Sequence, residues 1–389
     1  MLKNVLPLSF IVASRFFGLF LILPVISTEG VKLSGATTHN VGLLVGVYAI
    51  SQMIFQVPFG ALSDRFGRKF AMSLGLVVFI IGSIICAFSQ SFSWMLAGRL
   101  LQGSGAIGGV ASAMIADLTT PAKRSQAMAL TGILVGVSFC AAMALASVLN
   151  AKFGFAFLFH FSTFLSLLCL VMLYFVPNPP QVKAKKSEFN LAFLLNLNLM
   201  ILNLSSFLQK MFLSAAMVAI PLVYIAHEAL TPEEVKALGF NAQLQTAYIL
   251  GACGGFVAMA FAGALGDRLR LNKAFVVVGI VIFAASFYLL RTPYIFVGAV
   301  LFFVAFCLHE PSMQTLASKF APPQSRGAAM SVFVSGGYAG SFVGGALSSF
   351  VVGEFGAGLF FGVMFWLTVV WGALSLFLKR EPKISSKGE

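Results

Sequence analysis

The long apolar segments of this sequence contain only a few ionisable side chains far from their ends. They are Arg15, Arg99, Lys210 and Glu310, the last of which follows His309. A charge at the centre of a membrane-spanning helix costs about 2.5 to 3.5 kcal/mol on insertion scales, so such residues are functional candidates. A carboxyl group there can carry a proton when burial favours its neutral form and a nearby cation favours its charged form. Because Glu310 is the only deep carboxylate, we predict that it carries the proton, with His309 as a relay.

Other roles for these residues stay open. Glu310 could instead form a static ion pair with Arg15 or Lys210, or it could only contact the substrate. His309 could be a core histidine, which is the more common situation. No acidic residue lies at helical spacing from Arg15, so its partner must come from another helix or from the substrate. Arg99 could donate hydrogen bonds to backbone carbonyls.

Uncharged polar residues at helical spacing predict the lining of a substrate cavity. Gln52 and Gln56 are four residues apart and share a helix face, with Tyr48 one turn earlier. Gln245 and Tyr248 are three residues apart on a later segment. The residues predicted to line the cavity are Arg15, Tyr48, Gln52, Gln56, Gln102, Gln209, Lys210, Gln245 and Tyr248.

The composition indicates the class of protein to which these residues belong. Of the 389 residues, 59% are hydrophobic and 10% are charged, and the mean hydropathy is +0.96. A soluble domain carries about 25% charged residues, so the composition excludes a soluble enzyme. The five cysteines lie in apolar runs without metal-ligand spacing, and no nucleophile-base pair or cofactor loop is present in the sequence. A phosphate-binding GxxxxGK loop is also missing from the sequence, so the energy must come from an ion gradient or from the solute's own gradient. We predict no cofactor, with a proton gradient as the energy source.

Apolar runs of about 20 residues, each sufficient to cross a bilayer, predict an all-helical membrane protein with twelve spans. Apolar and polar residues do not alternate along these runs as they do along the strands of a transmembrane β-barrel. The predicted spans are 4–27, 40–62, 70–90, 93–116, 124–150, 155–176, 194–224, 242–265, 273–290, 293–318, 326–350 and 356–378.

The cations predict the orientation of these spans. Eighteen of the 25 Lys and Arg residues fall on the same face as the N-terminus, and four fall on the other: Lys32, Lys152, Lys236 and Arg291. Because positive residues stay in the cytoplasm, both termini are predicted to be cytoplasmic, in a bacterial inner membrane. The net charge of +13 is thus a topology signal and needs no nucleic-acid partner.

The chain also repeats itself. The hydrophilic stretch 177–190 separates residues 1–176 from residues 191–389, six predicted spans on each side. Gly-Ala-Leu-Ser-Asp-Arg at 60–65 returns as Gly-Ala-Leu-Gly-Asp-Arg at 263–268. A second match joins the starts of spans five and eleven at nearly the same offset. The repeat predicts two pseudo-symmetric six-helix halves that rock about a central site.

The motifs themselves resemble those of one family. The loop Gly-Ala-Leu-Ser-Asp-Arg-Phe-Gly-Arg-Lys at 60–69 is similar to the signature loop of the major facilitator superfamily. Arg-Leu-Leu-Gln-Gly-Ser-Gly-Ala at 99–106 resembles a second motif, found in its proton-coupled members, and this resemblance implies a role of Arg99 in proton coupling as the alternative to carbonyl hydrogen bonds. Together with 14–18, 117–119 and 302–306, these segments resemble the drug:proton antiporter branch most. Ala146 and Ser147 replace the Gly-Pro pair that is usual late in span five of that branch, so the direction of transport stays open.

The resemblance implies a conformational switch at the cytoplasmic face. It places Asp64 against the start of span eleven, at Ser325 and Arg326, and Arg65 or Arg68 against Asp117. The repeat suggests the mirror contact between the second-half aspartate and the start of span five. The residues assigned to the switch are Gly60, Asp64, Arg65, Gly67, Arg68, Asp117, Arg124, Asp267 and Arg326.

The function predicted from these features is proton-coupled secondary transport. The resemblance implies export of a small organic solute or drug by alternating access, by a monomer whose partners are that solute and the lipid bilayer. The alternative is a symporter or importer of a sugar or organic anion. A channel is disfavoured because the repeat lies within one chain, whereas a pore ring needs oligomer symmetry.

Overall fold

The computed structural model describes residues 2–179, 196–227, 242–322 and 326–379, and the regular secondary structure of these ranges is helical apart from an isolated bridge between Ser34 and Ser91. Thirteen helices follow one another: α1 (Leu2–Ile22), α2 (Ile26–Gly30), α3 (Leu43–Phe66), α4 (Arg68–Phe88), α5 (Phe92–Ser104), α6 (Gly108–Asp117), α7 (Pro121–Phe153), α8 (Phe155–Phe175), α9 (Leu197–His227), α10 (Ala242–Arg268), α11 (Asn272–Leu289), α12 (Ile295–Phe320) and α13 (Arg326–Leu376). Most of the predicted linker 177–190 lies outside the described residues.

Ten of the described helices are long and apolar enough to cross a membrane. The count differs from twelve for two reasons. The fourth predicted span is divided into α5 and α6, and neither part reaches the required length. At the other end of the chain, α13 runs through 51 residues as one helix by its hydrogen bonds. Such a helix would be about 77 Å long, more than twice the hydrocarbon thickness.

A single residue turns the chain inside α13. Gly356 has φ 78° and ψ 164°, a backbone conformation that residues with a Cβ atom rarely adopt. The chain therefore makes two crossings there, before and after Gly356. This matches the predicted division between 350 and 356 and brings the crossings to twelve.

The break between α5 and α6 is a correction, because the sequence predicted one continuous span over 93–116. Gly105 has φ −72° and ψ 60°, which ends α5 after Ser104. A Cβ on Gly105 would lie only 2.4 Å from the carbonyl oxygen of Gly75 in α4. The helix therefore breaks where its backbone lies against α4, and the carbonyl of Gly105 accepts from the backbone N–H of Ile107 at 2.9 Å instead of from a helical donor four residues later.

The helices α3 and α13 pack tightly near the N-terminal end of α3. A Cβ on Gly42 would lie 2.0 Å from the carbonyl oxygen of Gly345, and one on Gly46 would lie 2.9 Å from that of Phe342. Such backbone contact requires glycine. At the opposite end of the bundle, a Cβ on Gly60 would meet no atom within 4 Å. We call these the Gly42 end and the Asp64 end.

Candidate functional site

Arg15 on α1 lies at the break between α5 and α6. Its Nη2 donates to Oε1 of Gln52 at 3.0 Å and to the carbonyl oxygen of Gly105. The side chain is buried, and its guanidinium carbon lies 5.5 Å from the ring centre of Phe79. The unwound backbone thus provides the acceptor that a buried cation needs. The ion pair of Arg15 with Glu310, one of the sequence alternatives, is not formed.

Arg99 on α5 is fully buried and held by a second set of acceptors. Its Nε donates to the carbonyl oxygen of Leu44 at 3.0 Å, and its Nη1 donates to Oε1 of Gln102 at 2.7 Å. Gln102 in turn donates to Ser83 at 2.7 Å, and Tyr48 places its ring 4.8 Å from the guanidinium. Gln102 and Tyr48, predicted to line a cavity, therefore surround Arg99. Neither Arg15 nor Arg99 forms an ion pair with any described residue.

Gln52 and Gln56 have different neighbours, and Nε2 of Gln56 lies 3.2 Å from where a Cβ of Gly109 in α6 would be. Tyr338 on α13 directs its hydroxyl toward Gln52 and lies near Tyr48 and Arg15. Oε1 of Gln56 is buried and accepts no hydrogen bond from the described residues. Tyr338 was not predicted from the sequence; the one available signal is its position as the only polar side chain in the run Gly-Gly-Tyr-Ala-Gly at 336–340.

Lys210 on α9 and Glu310 on α12 form an ion pair. Nζ of Lys210 lies 2.9 Å from Oε1 of Glu310, with the two side chains 28% and 20% exposed. Gln314, one turn further along α12, donates to the same oxygen at 2.8 Å. Oε2 of Glu310 is buried and has no partner among the described residues. Gln314 was missed, although its spacing of four residues from Glu310 is a signal that sequence can show.

Local structure helps to explain the position of this pair. Pro311 lies inside α12 directly after Glu310 and has no backbone N–H to donate to the carbonyl of Cys307. The ring of Phe306, one turn before Glu310, lies 4.8 Å from Nζ of Lys210. The ammonium group is thus held between a carboxylate and an aromatic face.

His309 points away from this pair. It is fully buried, with its ring centre 5.0 Å from that of Trp371 and 6.3 Å from that of Phe283. Neither ring nitrogen has a hydrogen-bond partner within the described ranges. A relay to Glu310 would therefore require rearrangement of His309.

The other residues predicted for the cavity differ in how they are placed. Gln209 is buried and donates to the carbonyl oxygen of Phe306 at 3.2 Å. Tyr248 on α10 is fully buried, with its ring centre 5.4 Å from that of Phe303. Gln245 is half-buried one turn earlier. Gln209 therefore supports the helix that carries Glu310, and Tyr248 packs against the core.

The Asp64 end contains the ion pairs of the signature loop. Arg68, at the start of α4, contacts Asp64 of α3 and lies 3.0 Å from Asp117 at the end of α6. Gly67 makes the turn between α3 and α4 with φ 96°. Of the two arginines that the resemblance offered, Arg68 contacts Asp117, whereas Arg65 lies over the ring of Phe66. The side chains of Arg124, Asp267 and Arg326, and all of Ser325, lie outside the described residues.

The Gly42 end carries a contact that the sequence did not predict. The backbone N–H of Gly42 donates to Oγ of Ser349 at 3.1 Å, and that hydroxyl donates to the carbonyl oxygen of His39 at 2.9 Å. The ring of His39 lies 3.5 Å from the carboxylate of Glu354. These bonds join the segment before α3 to α13 and hold this end of the bundle together.

The comparisons with known proteins agree with this architecture. A family model described as Major Facilitator Superfamily matches residues 8–309 and 202–389. The inner membrane transport protein YajR of Escherichia coli (strain K12) is 33% identical over 391 residues, covering 96% of this chain and 82% of that protein. The tetracycline resistance protein, class B, of Escherichia coli is 35% identical over 128 residues, 32% of each chain.

A solved structure shows the same fold at lower identity. The crystal structure of a D-xylose-proton symporter aligns with a TM-score of 0.74 at 17% identity and covers 100% of both chains. The all-helical fold and the family that the motifs resemble are thereby confirmed. The chain belongs to the major facilitator superfamily and is a multi-pass secondary transporter, not an enzyme.

Proposed function

We propose that the protein is a proton-coupled transporter that exports a small organic solute. The observation that carries this proposal is the pair of Lys210 and Glu310, which is partly exposed and has one carboxylate oxygen that accepts no hydrogen bond from the described residues. An ionised Glu310 attracts Lys210, and a protonated Glu310 does not. Protonation therefore weakens the link between α9 and α12, and a proton and the ion pair exclude one another at this carboxylate.

Alternating access converts this exclusion into transport. The two six-helix halves, 1–176 and 191–389, are joined by the linker 177–190. They would rock about the buried polar residues described above. The Gly42 end, closed here by Gly42 and Ser349, would open as the Asp64 end closes. The cation distribution supports a cytoplasmic Asp64 end, with both termini on that side. Solute taken up there would leave on the other side as Glu310 is protonated.

The signature loop is proposed to act as the switch. Arg68 joins Asp64 to Asp117 in this state. In the alternate state Asp64 would instead meet the start of α13 at Arg326, and the repeat suggests a matching contact between Asp267 and Arg124. Gly60 and Gly67 would allow α3 and α4 to approach the neighbouring helices in that state. Arg65 would stay near the exposed loop between α3 and α4.

The likeness to the tetracycline resistance protein supports a drug-type solute. The solute would lie between Gln56 and Tyr338 on one side and Gln314 and Lys210 on the other. Phe306 adds an apolar face beside the ion pair. Uncharged amides with an aromatic wall suit an organic molecule that is neither strongly ionic nor purely apolar. We propose that the transporter acts as a monomer.

Import or symport of an organic anion is the second candidate. The observation that favours it is the pair of buried cations Arg15 and Arg99, which form no ion pair with any described carboxylate. A carboxylate or phosphate group on the solute would complete their charge.

The direct test is Glu310→Gln in proteoliposomes with an imposed pH gradient and a panel of solutes. Gln keeps the volume and the hydrogen bonds but cannot cycle a proton, so pH-driven net transport should stop while exchange between equal solute pools continues. Glu29→Gln is a matched control, because Glu29 also pairs with a lysine, Lys32, at 2.9 Å. The control should keep pH-driven transport.

The measurement is solute flux together with proton flux. Undiminished pH-driven transport by Glu310→Gln would contradict proton carriage at this residue. Opposite directions of solute and proton indicate export by antiport, and the same direction indicates the second candidate.

A further inference from the structure

A groove on the surface of the helix bundle runs along the part of α13 that follows Gly356. Gly358, Gly362, Trp366 and Val370 follow one another at steps of four residues and line it, and Arg291 lies over it. Residues at this spacing form one stripe along a helix, about 18 Å long from Gly358 to Val370. The two glycines leave the floor of the groove without side chains, and the lining is mostly apolar. Its length is close to that of one bilayer leaflet, about 15 Å.

Arg291 lies over the groove and bonds to no protein group in the part of the chain that the structure describes. It follows the end of α11, and its guanidinium carbon lies 3.4 Å from where a Cβ of Gly362 would be. The residue is exposed, and its side chain forms no hydrogen bond or ion pair with the described residues. Tyr288 and Tyr294, on either side of it in the chain, are 56% and 66% exposed. Exposed tyrosines are typical of the membrane–water interface, which places the cation at head-group depth.

We propose that this groove binds an anionic phospholipid of the surrounding bilayer. The phosphate would lie against the guanidinium of Arg291, and one acyl chain would lie along Gly358, Gly362 and Trp366. Three features support this occupant: an unpaired cation at the interface, an apolar stripe of leaflet length below it, and glycines that make room for a chain. The proposal does not depend on the transported solute or on proton coupling.

Trp366 provides the probe, because it lies in the groove and is 64% exposed. Of the two other tryptophans, Trp371 is 1% exposed, and Trp94, at 65%, is removed by Trp94→Phe. The purified protein is reconstituted with increasing fractions of phosphatidylglycerol or phosphatidylcholine, both carrying brominated acyl chains that quench indole fluorescence. A second protein that carries both Trp94→Phe and Trp366→Phe gives the residual fluorescence of Trp371.

The anionic lipid should reach half-maximal quenching at a mole fraction about fivefold lower than the zwitterionic lipid. That ratio corresponds to the roughly 1 kcal/mol that one interfacial cation contributes to binding acidic lipid. Arg291→Gln should reduce the ratio to about one, and Arg291→Lys should keep most of it. Lys152→Gln is the matched control, because Lys152 is an exposed cation at the end of α7 and lies outside the groove.

Gly362→Leu fills the groove and should reduce quenching by both lipids. Equal quenching by the two lipids in the parent protein would overturn the proposal, as would an anionic preference that survives Arg291→Gln. If neither lipid quenches Trp366, the stripe is covered by something other than lipid, such as a second copy of the chain, and the proposal is wrong.

Discussion

The polar cluster around Arg15 and Arg99 and the pair of Lys210 and Glu310 differ in chemistry and in access to solvent. Arg99 is fully buried and Arg15 is 4% exposed, and both bind backbone carbonyls and amide oxygens. Lys210 and Glu310 are partly exposed and bind each other. Guanidinium groups keep their charge in proteins, whereas a carboxylate can gain a proton. The first cluster therefore provides fixed charge, and the second provides a group that can change charge.

The difference also lies in what each charge requires from the backbone. Arg15 depends on the carbonyl that the break at Gly105 exposes, so its position follows from the close contact of α5 with α4. Glu310 depends on side chains from α9 and from its own helix. Backbone acceptors move only with whole helices, whereas side-chain partners can separate within one conformational step.

The largest effect is expected from Gly105→Ala, which changes the residue whose carbonyl accepts from Arg15 in the first cluster. The added Cβ would lie 2.4 Å from the carbonyl oxygen of Gly75, so α4 and α5 must separate and the acceptor of Arg15 must move. We expect a loss of about 3 kcal/mol in stability and little transport. Thermal unfolding in detergent and solute flux measure this. Gly108→Ala is the control, because its Cβ would meet no atom within 4 Å. Equal stability of the two variants would show that the contact at Gly105 is not limiting.

A double-mutant cycle sharpens the second cluster. Lys210→Met leaves the carboxylate of Glu310 without its cation, and Glu310→Gln leaves the ammonium without its anion. Each single variant should lose about 2 kcal/mol, and the double variant should regain part of that loss, since no unpaired charge remains. Unfolding temperatures of the four proteins give the coupling. Additive losses would mean that the two side chains are not coupled in stability. The pH-driven net transport should stay low in every variant that lacks Glu310.

The smallest effect is expected from Arg15→Gln. The change removes a fixed charge, and the shorter Gln side chain replaces only part of the hydrogen bonding to Gln52 and Gly105, so we expect a loss of about 1 kcal/mol in stability. The shape of the pH profile of transport should stay the same, because Arg15 does not exchange protons. Transport measured across a pH series checks this. A profile that changes as much as that of Glu310→Gln would place Arg15 in the coupling step and would remove the distinction between the two clusters.

Several features of the fold could be predicted from the sequence because they depend on local composition. The length of the apolar runs determines the number of crossings, and both Gly-Ala-Leu-x-Asp-Arg motifs identify the family. The charged residues inside the spans could be selected for the same reason, since a charge in an apolar helix is costly wherever its partner lies. The same reasoning missed the break at Gly105, because the residues on both sides of it are apolar or small and fit a continuous helix.

The candidate site was only partly predictable. Gln314 could have been found from its spacing to Glu310, whereas Tyr338 lies more than 280 residues from Gln52 and only the packing of α13 on α3 brings them together. The predicted role of Gln102 as a cavity residue also depended on the rotation of α5, which places its amide on Ser83 and Arg99. Helical spacing shows which residues share a face, but it does not show what that face meets.

By itself, the amino-acid sequence determined the helical fold, the number of crossings, the family and the four charged residues that lie deep within the predicted spans. Only the tertiary structure decided the partner of each charge: Lys210 for Glu310, a broken helix for Arg15, and a shell of amide and carbonyl groups for Arg99. The physical reason is that the transfer of a segment into a membrane depends on its own residues, which the sequence states directly. The pairing of a buried group depends on the rotation and crossing of helices far apart in the chain, and close packing of small residues such as Gly42, Gly105 and Gly345 sets that geometry.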